Sequence, residues 1–224
     1  MMKAKTKFLA GGILAALSVL WIILLKTVDV APAGESRTEV GFSTLNQAFF
    51  DAFHGHDLLY QITELCGAAA ILTAGLFACV GIYQLVKRRS LKAIDREIYA
   101  LGGLYVVFVA LYAFFEVVTV NCRPIIEEGA TEAEASFPST HTLLGCIILG
   151  SAFMVLSHFI KNKTLCTVLK TACAAAIAVT VLGRLFCGVH WLTDIIGGVM
   201  ISAAVLFLFS GVLSVLRGTD KTAE

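Results

Sequence analysis

Six long apolar runs limit what this chain can fold into. They are roughly Phe8–Leu25, Gly67–Val86, Ile98–Val120, Thr142–Ile160, Thr164–Gly183 and Ile195–Leu216, joined by shorter polar segments. A hydrocarbon core about 30 Å thick takes about 20 helical residues to cross. The reading is an all-α, polytopic membrane helix bundle with six transmembrane helices. Composition agrees: 58% of the 224 residues are hydrophobic and 15% are charged, where a soluble domain carries roughly 25%. Mean hydropathy is +0.86. A net charge of +1 gives no reason to expect a nucleic-acid partner.

Lys3, Lys5 and Lys7 precede the first run. A cleaved signal peptide competes with a membrane span here, because Ala31-Pro32-Ala33 loosely resembles a cleavage site. The run is long for a signal core and the proline is unhelpful, so a first transmembrane helix is expected. Residues 26–42 read as an exposed linker with Pro32, Gly34 and Gly41. Thr44 to Gln47 suggests a capping box. Leu45, Phe49, Ala52 and Phe53 then fall at helical spacing beside Asn46, Gln47 and Asp51. The pattern predicts a short amphipathic interfacial helix between helices 1 and 2. Residues 26–63 become an extracytoplasmic linker and interfacial helix within one domain spanning 1–224. His54, His56 and Asp57 read as a polar loop rather than a metal site. The seven cysteines show no zinc spacing, and most lie in apolar runs as small hydrophobic side chains.

Six spans return the chain to the side where it began. Lys3, Lys5, Lys7, Lys87, Arg88, Arg89, Lys92, Arg96, Lys161, Lys163, Arg217 and Lys221 fall on that side. The other side has only Lys26, Arg37, Arg123 and Arg184. By the positive-inside bias both termini are expected in the cytoplasm, and the polar islands 121–141 and 183–194 face outward in the cytoplasmic membrane. Lys170 lies about 21 Å inward of Arg184 along a helix, where it can snorkel to the cytoplasmic interface. Glu116 lies about 27 Å past Ile98, at the depth of the islands. Asp194 opens the last span at that same depth.

The chemistry of that level is specific. His190 and Asp194 are four apart and share a helical face. A carboxylate there can accept one ring N–H and leave the other nitrogen free as a nucleophile. Arg184 leads into His190, and Pro124 holds Arg123 in an extended turn. Two guanidiniums can fork onto phosphate oxygens. Pro138-Ser139-Thr140-His141 opens a helix whose free N–H groups suit an anion, and His141 can give a proton to a leaving oxygen. Each piece alone is more simply a cap or an interfacial charge. Together at one depth they describe a site that grips a phosphate and breaks its ester. The residues alone leave open which histidine attacks.

These segments resemble the signature of the type 2 phosphatidic acid phosphatase (PAP2) family, membrane relatives of vanadium haloperoxidases. That signature reads Lys, six residues, Arg-Pro; then Pro-Ser-Gly-His; then Ser-Arg, five residues, His, three residues, Asp. Arg123-Pro124 matches the end of the first part, and Pro138, Ser139 and His141 match the second, with Thr140 for glycine. Arg184, His190 and Asp194 match the third, with Gly183 for serine. The resemblance implies a PAP2/haloperoxidase-like core and no cofactor or metal. It implies that His190 attacks phosphorus to form a phosphohistidine, that Asp194 orients it, and that His141 protonates the leaving alkoxide. Arg123, Arg184, Ser139 and the Thr140 backbone would hold the phosphate.

One departure bears on function. Glu116 stands where the family has its lysine. A free carboxylate 4 Å from a phosphate charge is repelled by about 4 kcal/mol at an effective dielectric of 20. Glu116 is therefore expected to pair with Arg123 or Arg184; the alternatives are a protonated carboxyl that donates a hydrogen bond, and a role toward a cationic or hydroxylated part of the substrate. The expected activity is hydrolysis of a lipid phosphomonoester or diphosphate, of the phosphatidic acid, phosphatidylglycerophosphate or polyprenyl diphosphate type. Alternatives are a phosphotransferase with an acceptor other than water, or a non-catalytic lipid-phosphate carrier. A disulfide between Cys122 and Cys187 would tie the two arginine loops together, but two thiols are the simpler expectation.

Overall fold

Each of the six apolar runs is a helix in the computed structural model, which describes residues 3–126 and 129–220. Lys221, counted above with the cytoplasmic cations, lies outside the described residues. The spans are α1 (Ala4–Thr27), α3 (Asp57–Arg88), α4 (Arg96–Val117), α5 (Thr140–Phe159), α6 (Lys163–Phe186) and α7 (Leu192–Asp220). A short helix, α2 (Ser43–Phe53), follows α1. α3 starts ten residues before the predicted run, so residues 57–63 belong to a membrane-length helix and not to the linker. Asp57 in its first turn and Lys87 and Arg88 in its last complement the helix dipole.

α5 is the most deeply buried span. Leu143, Ile147 and Val155 on it pack with Ala70 of α3, Leu101 of α4 and Ile201 of α7. A π-helical segment, Gly145–Leu149, interrupts it. α1 lies along α7. The outward faces stay apolar and exposed, as at Leu65, Ile71 and Leu72 on α3 and Val106 and Val109 on α4. Lipid tails are as apolar as these side chains, so their exposure carries no penalty in a bilayer.

The linker after α1 is more ordered than its composition suggests. β1 (Ala31–Ala33) pairs antiparallel with β2 (Thr38–Val40). The capping box expected at α2 does not form. Asp29, outside the helix, accepts the Ser43 hydroxyl at 3.0 Å and the Thr44 N–H at 2.8 Å. Gln47 instead accepts the N–H of Gly34 and donates to Asp51. The inward face of α2 carries Asn46 beside Phe50, while Leu45 and Phe53 are exposed. Asn46 donates to the Thr193 hydroxyl at 2.9 Å and accepts its N–H at 3.3 Å. α2 thereby fastens the start of α7.

Candidate active site

The site forms where α3, α5, α6 and α7 end at one level. Two loops close it. Asn121 to Arg123 run antiparallel to Glu134 to Ser136, with Arg123 N–H donating to the Glu134 carbonyl at 2.8 Å and Ser136 N–H to the Asn121 carbonyl at 2.9 Å. α4 has already stopped at Val117. The seven-residue spacing from Glu116 to Arg123 therefore does not stack the two on one helical face.

Asp194 is fully buried, and its partners correct the sequence reading. It does not hold the His190 ring. Its Oδ1 accepts the Asn121 amide at 2.8 Å, and its Oδ2 accepts the Ser136 hydroxyl at 2.6 Å and the Trp191 N–H at 3.1 Å. The His190 ring bonds through Nδ1 to the Ser136 carbonyl at 3.0 Å. His190 precedes the first turn of α7, so the four-residue helical spacing does not apply between it and Asp194. The carboxylate thus acts on His190 through the backbone of Ser136 and the turn at Trp191.

That geometry sets the tautomer. A carbonyl can only accept, so Nδ1 carries the proton and Nε2 presents its lone pair. Nε2 is buried and has no hydrogen-bond partner among the described residues. Burial first, then the charges of Arg123 and Arg184, hold the ionisation of His190 well below the ordinary histidine value. The ring is a neutral imidazole under the field of two guanidiniums.

Arg184 is almost wholly buried. Its guanidinium lies over the Tyr60 ring at 4.8 Å and one Nη bonds to Glu64. Its Nε and the other Nη are buried without a hydrogen-bond partner among the described residues. Unsatisfied buried donors are costly, and two of them near a free Nε2 suit the oxygens of a phosphoryl group. His141 places Nε2 3.2 Å from Glu64 as well. Glu64 therefore bridges the arginine and the histidine, and sequence reasoning missed it. Its signal was a face: Tyr60, Thr63, Glu64 and Gly67 fall at i, i+3, i+4 and i+7 on α3. Starting the span at Gly67 leaves Tyr60, Thr63 and Glu64 outside it.

Ser139 caps α5 and is fully buried. Its Oγ accepts from the Thr142 hydroxyl at 3.1 Å, which leaves its own proton to donate. The loop reaches this position because Gly197 on α7 has no side chain: an added Cβ would lie 2.2 Å from the Phe137 ring. Thr140 lines a cavity of about 520 Å³ with Arg123, Glu116 and Glu134. Glu116 is exposed there and lies beside Tyr112. Among the described residues, other carboxylates lie beside the two arginines. Arg123 Nε has Glu134 at 3.6 Å, and Arg184 has Glu64. Cys122 and Cys187 are both free, and burial pushes both thiols up. The Trp191 indole, donating to the Cys122 carbonyl at 2.8 Å, ties the loops instead. Among the described residues no group of three His, Cys, Asp or Glu side chains converges as a metal site, and His54 bonds back to the Phe50 carbonyl.

The PAP2 superfamily model matches residues 105–216, half of the chain. The chain belongs to that superfamily. As a PAP2 protein it is a multi-pass membrane enzyme of the phosphoric ester hydrolase class. A solved structure of a transmembrane PAP2-type phosphatidylglycerolphosphate phosphatase from Bacillus subtilis shares its fold, with a TM-score of 0.55 at 19% identity, over 100% of this chain and 98% of that one. No curated protein matches the sequence. One departure from the PAP2 signature has a local cause. Gly183 replaces serine because a Cβ there would lie 2.5 Å from the Thr63 methyl.

Glu64→Gln keeps the shape and removes the charge that Arg184 and His141 share. A misplacement of about 1 Å in such a group costs about 10²-fold. The expected result is a drop in kcat of about 10- to 100-fold with the protein still folded. Unchanged kcat would show that the bridge plays no part in the reaction.

Proposed function

We propose that this PAP2 protein hydrolyses a phosphomonoester or diphosphate of a membrane lipid through a phosphohistidine on His190. The observation that supports this most is the unpartnered Nε2 of a neutral, buried His190 next to unpartnered donors of Arg184. In the proposed first step Nε2 attacks the terminal phosphorus and its P–O bond to the lipid side breaks. His141 gives its proton to the departing oxygen, which belongs to an alkoxide from a monoester or to a lipid phosphate from a diphosphate. In the second step His141 takes a proton from water, water oxygen attacks phosphorus, and the P–N bond breaks to release phosphate. Arg123, Arg184, the Ser139 hydroxyl and the Thr140 backbone N–H hold the non-bridging oxygens. Asp194 keeps the Ser136 carbonyl on the His190 ring. Glu116, exposed on the wall of the cavity with Arg123, meets a cationic or hydroxylated part of the substrate. The basic bias of the opposite end supports a cytoplasmic location for both termini, with the site facing outward from the cytoplasmic membrane.

The test is a substrate panel of phosphatidic acid, phosphatidylglycerophosphate and a polyprenyl diphosphate, with purified protein in detergent. Phosphate release is expected without an added acceptor. It is expected to survive chelation and to be blocked by vanadate, which mimics pentavalent phosphorus. His141→Ala should lose about 10²–10⁴-fold and retain phosphorus label on the protein in acid-labile form. Glu116→Lys should shift preference across the panel more than it changes the best rate. Failure to release phosphate from every substrate, or transfer of phosphate only to an added alcohol, would overturn the hydrolase reading.

A further inference from the structure

At the end of the bundle opposite the catalytic level, α1, α5, α6 and α7 enclose a cavity of about 480 Å³. Its depth follows from the helices that cross it. Lys7 lines it, and Lys26 on the same helix bonds to the Val120 carbonyl near the catalytic loops. Those positions are about 28 Å apart along α1, close to the roughly 30 Å of a hydrocarbon core. Arg217 lines the same cavity, about 34 Å along α7 from Asp194. The cavity therefore opens at the headgroup level of the other leaflet.

Three cations from three helices line it: Lys7, Lys170 and Arg217. Among the described residues no carboxylate does. Both lysines are only partly exposed, and their partners are neutral. Lys7 donates to the Ser214 hydroxyl at 2.8 Å and towards the Ser210 carbonyl at 3.4 Å. Lys170 donates to the Ser157 hydroxyl at 2.6 Å, with its ammonium 5.1 Å from the centre of the Phe153 ring. Neither lysine is in an ion pair among the described residues. Arg217 at the rim is held by Glu97 at 3.3 Å. Phe153, Met154 and Leu213 form the apolar part of the wall.

Two partly exposed lysines with no ion-pair partner among the described residues, over an apolar wall at headgroup depth, fit a phosphate that carries an acyl chain. Charge alone would suit free phosphate equally. The apolar wall and the depth favour a lipid. We propose that this cavity binds the phosphate of an anionic phospholipid in the leaflet opposite the catalytic site. Lys7 and Lys170 contact the phosphate, and the acyl chain runs past Phe153 and Met154. Basic pockets between transmembrane helices take such headgroups by the same electrostatics. The site is separate from the phosphoryl-transfer site and holds its lipid without turnover.

Phosphatidylglycerol is a suitable probe, because its phosphodiester offers no phosphomonoester to hydrolyse. Purified full-length protein is titrated in detergent with phosphatidylglycerol, phosphatidylcholine or inorganic phosphate, and bound lipid is read by native mass spectrometry. Wild type should retain phosphatidylglycerol over phosphatidylcholine, and millimolar inorganic phosphate should not displace it. Lys7→Ala with Lys170→Ala should weaken phosphatidylglycerol about thirtyfold, the expected effect of two ammonium groups. Lys7→Arg with Lys170→Arg should restore it. Each single alanine variant should lose about fivefold, which keeps the test open if the double variant does not fold. Equal retention of phosphatidylglycerol by wild type and the alanine variants would overturn the proposal. So would equal binding of phosphatidylcholine by wild type, or full displacement by inorganic phosphate, which would make the cavity a site for the free anion.

Discussion

His190→Ala is expected to reduce phosphate release by on the order of 10⁶-fold, as when the nucleophile is cut from a catalytic unit. The cause is the loss of one atom. Nε2 is neutral because the ring is buried between two arginines, and it is unpartnered because Nδ1 has taken the Ser136 carbonyl. Arg123 and Arg184 remain, so substrate binding should change little while kcat collapses. The variant leaves the buried Ser136 carbonyl unpaired, a cost of about 1–3 kcal/mol of stability, and should fold. The measurements are kcat on a lipid phosphate, substrate binding, and the thermal midpoint in detergent. A folded variant that keeps more than about a hundredth of wild-type kcat would exclude the covalent route, since an acid–base role alone is worth about 10²–10⁴-fold.

Asp194→Ala carries the second large effect, and it should act on stability and rate together. The carboxylate satisfies three buried donors: the Asn121 amide, the Ser136 hydroxyl and the Trp191 N–H. Each buried group left unpaired costs about 1–3 kcal/mol, so a loss of roughly 3 kcal/mol or more is expected. The Ser136 carbonyl then loses its anchor, and the His190 ring loses its fixed tautomer. A drop in kcat of about 10³-fold should follow, since misplacement by about 1 Å alone costs about 10²-fold. Ser136→Ala separates this from a direct carboxylate–imidazole pair. Acting through Ser136, the carboxylate loses one of its links to the loop, and kcat should fall about tenfold. Full activity in Ser136→Ala, with Asp194→Ala slow but undiminished in stability, would favour a direct contact instead.

Local regularities carried much of this protein. Spans of about 20 apolar residues have few alternatives to helices in a membrane, and all six runs became helices. Arg-Pro, Pro-Ser-Thr-His and the Arg184–His190–Asp194 spacing placed seven side chains at one level, because a helix of known rise relates position to depth. Boundaries were less legible. The start of α3 was set too late because Tyr60, Thr63 and Glu64 are polar, and hydropathy reads polar residues as the end of a span. Their polarity belongs to the site, on a helix face turned inward.

Partner choice was decided only in three dimensions. Helical periodicity paired His190 with Asp194, but His190 lies before the helix begins, and a carbonyl from a loop 54 residues earlier takes the ring. Spacing paired Glu116 with an arginine, but α4 ends at Val117 and the chain turns away. Arg184 goes to Glu64, 120 residues distant. By itself the sequence determined the membrane helices, the level of the site and the residue types assembled there, because these follow from hydropathy, helical rise and side-chain chemistry. Only the tertiary structure decided which carboxylate serves which cation and which nitrogen of His190 is free. A hydrogen bond selects its partner by distance and direction, and neither is encoded by separation along the chain.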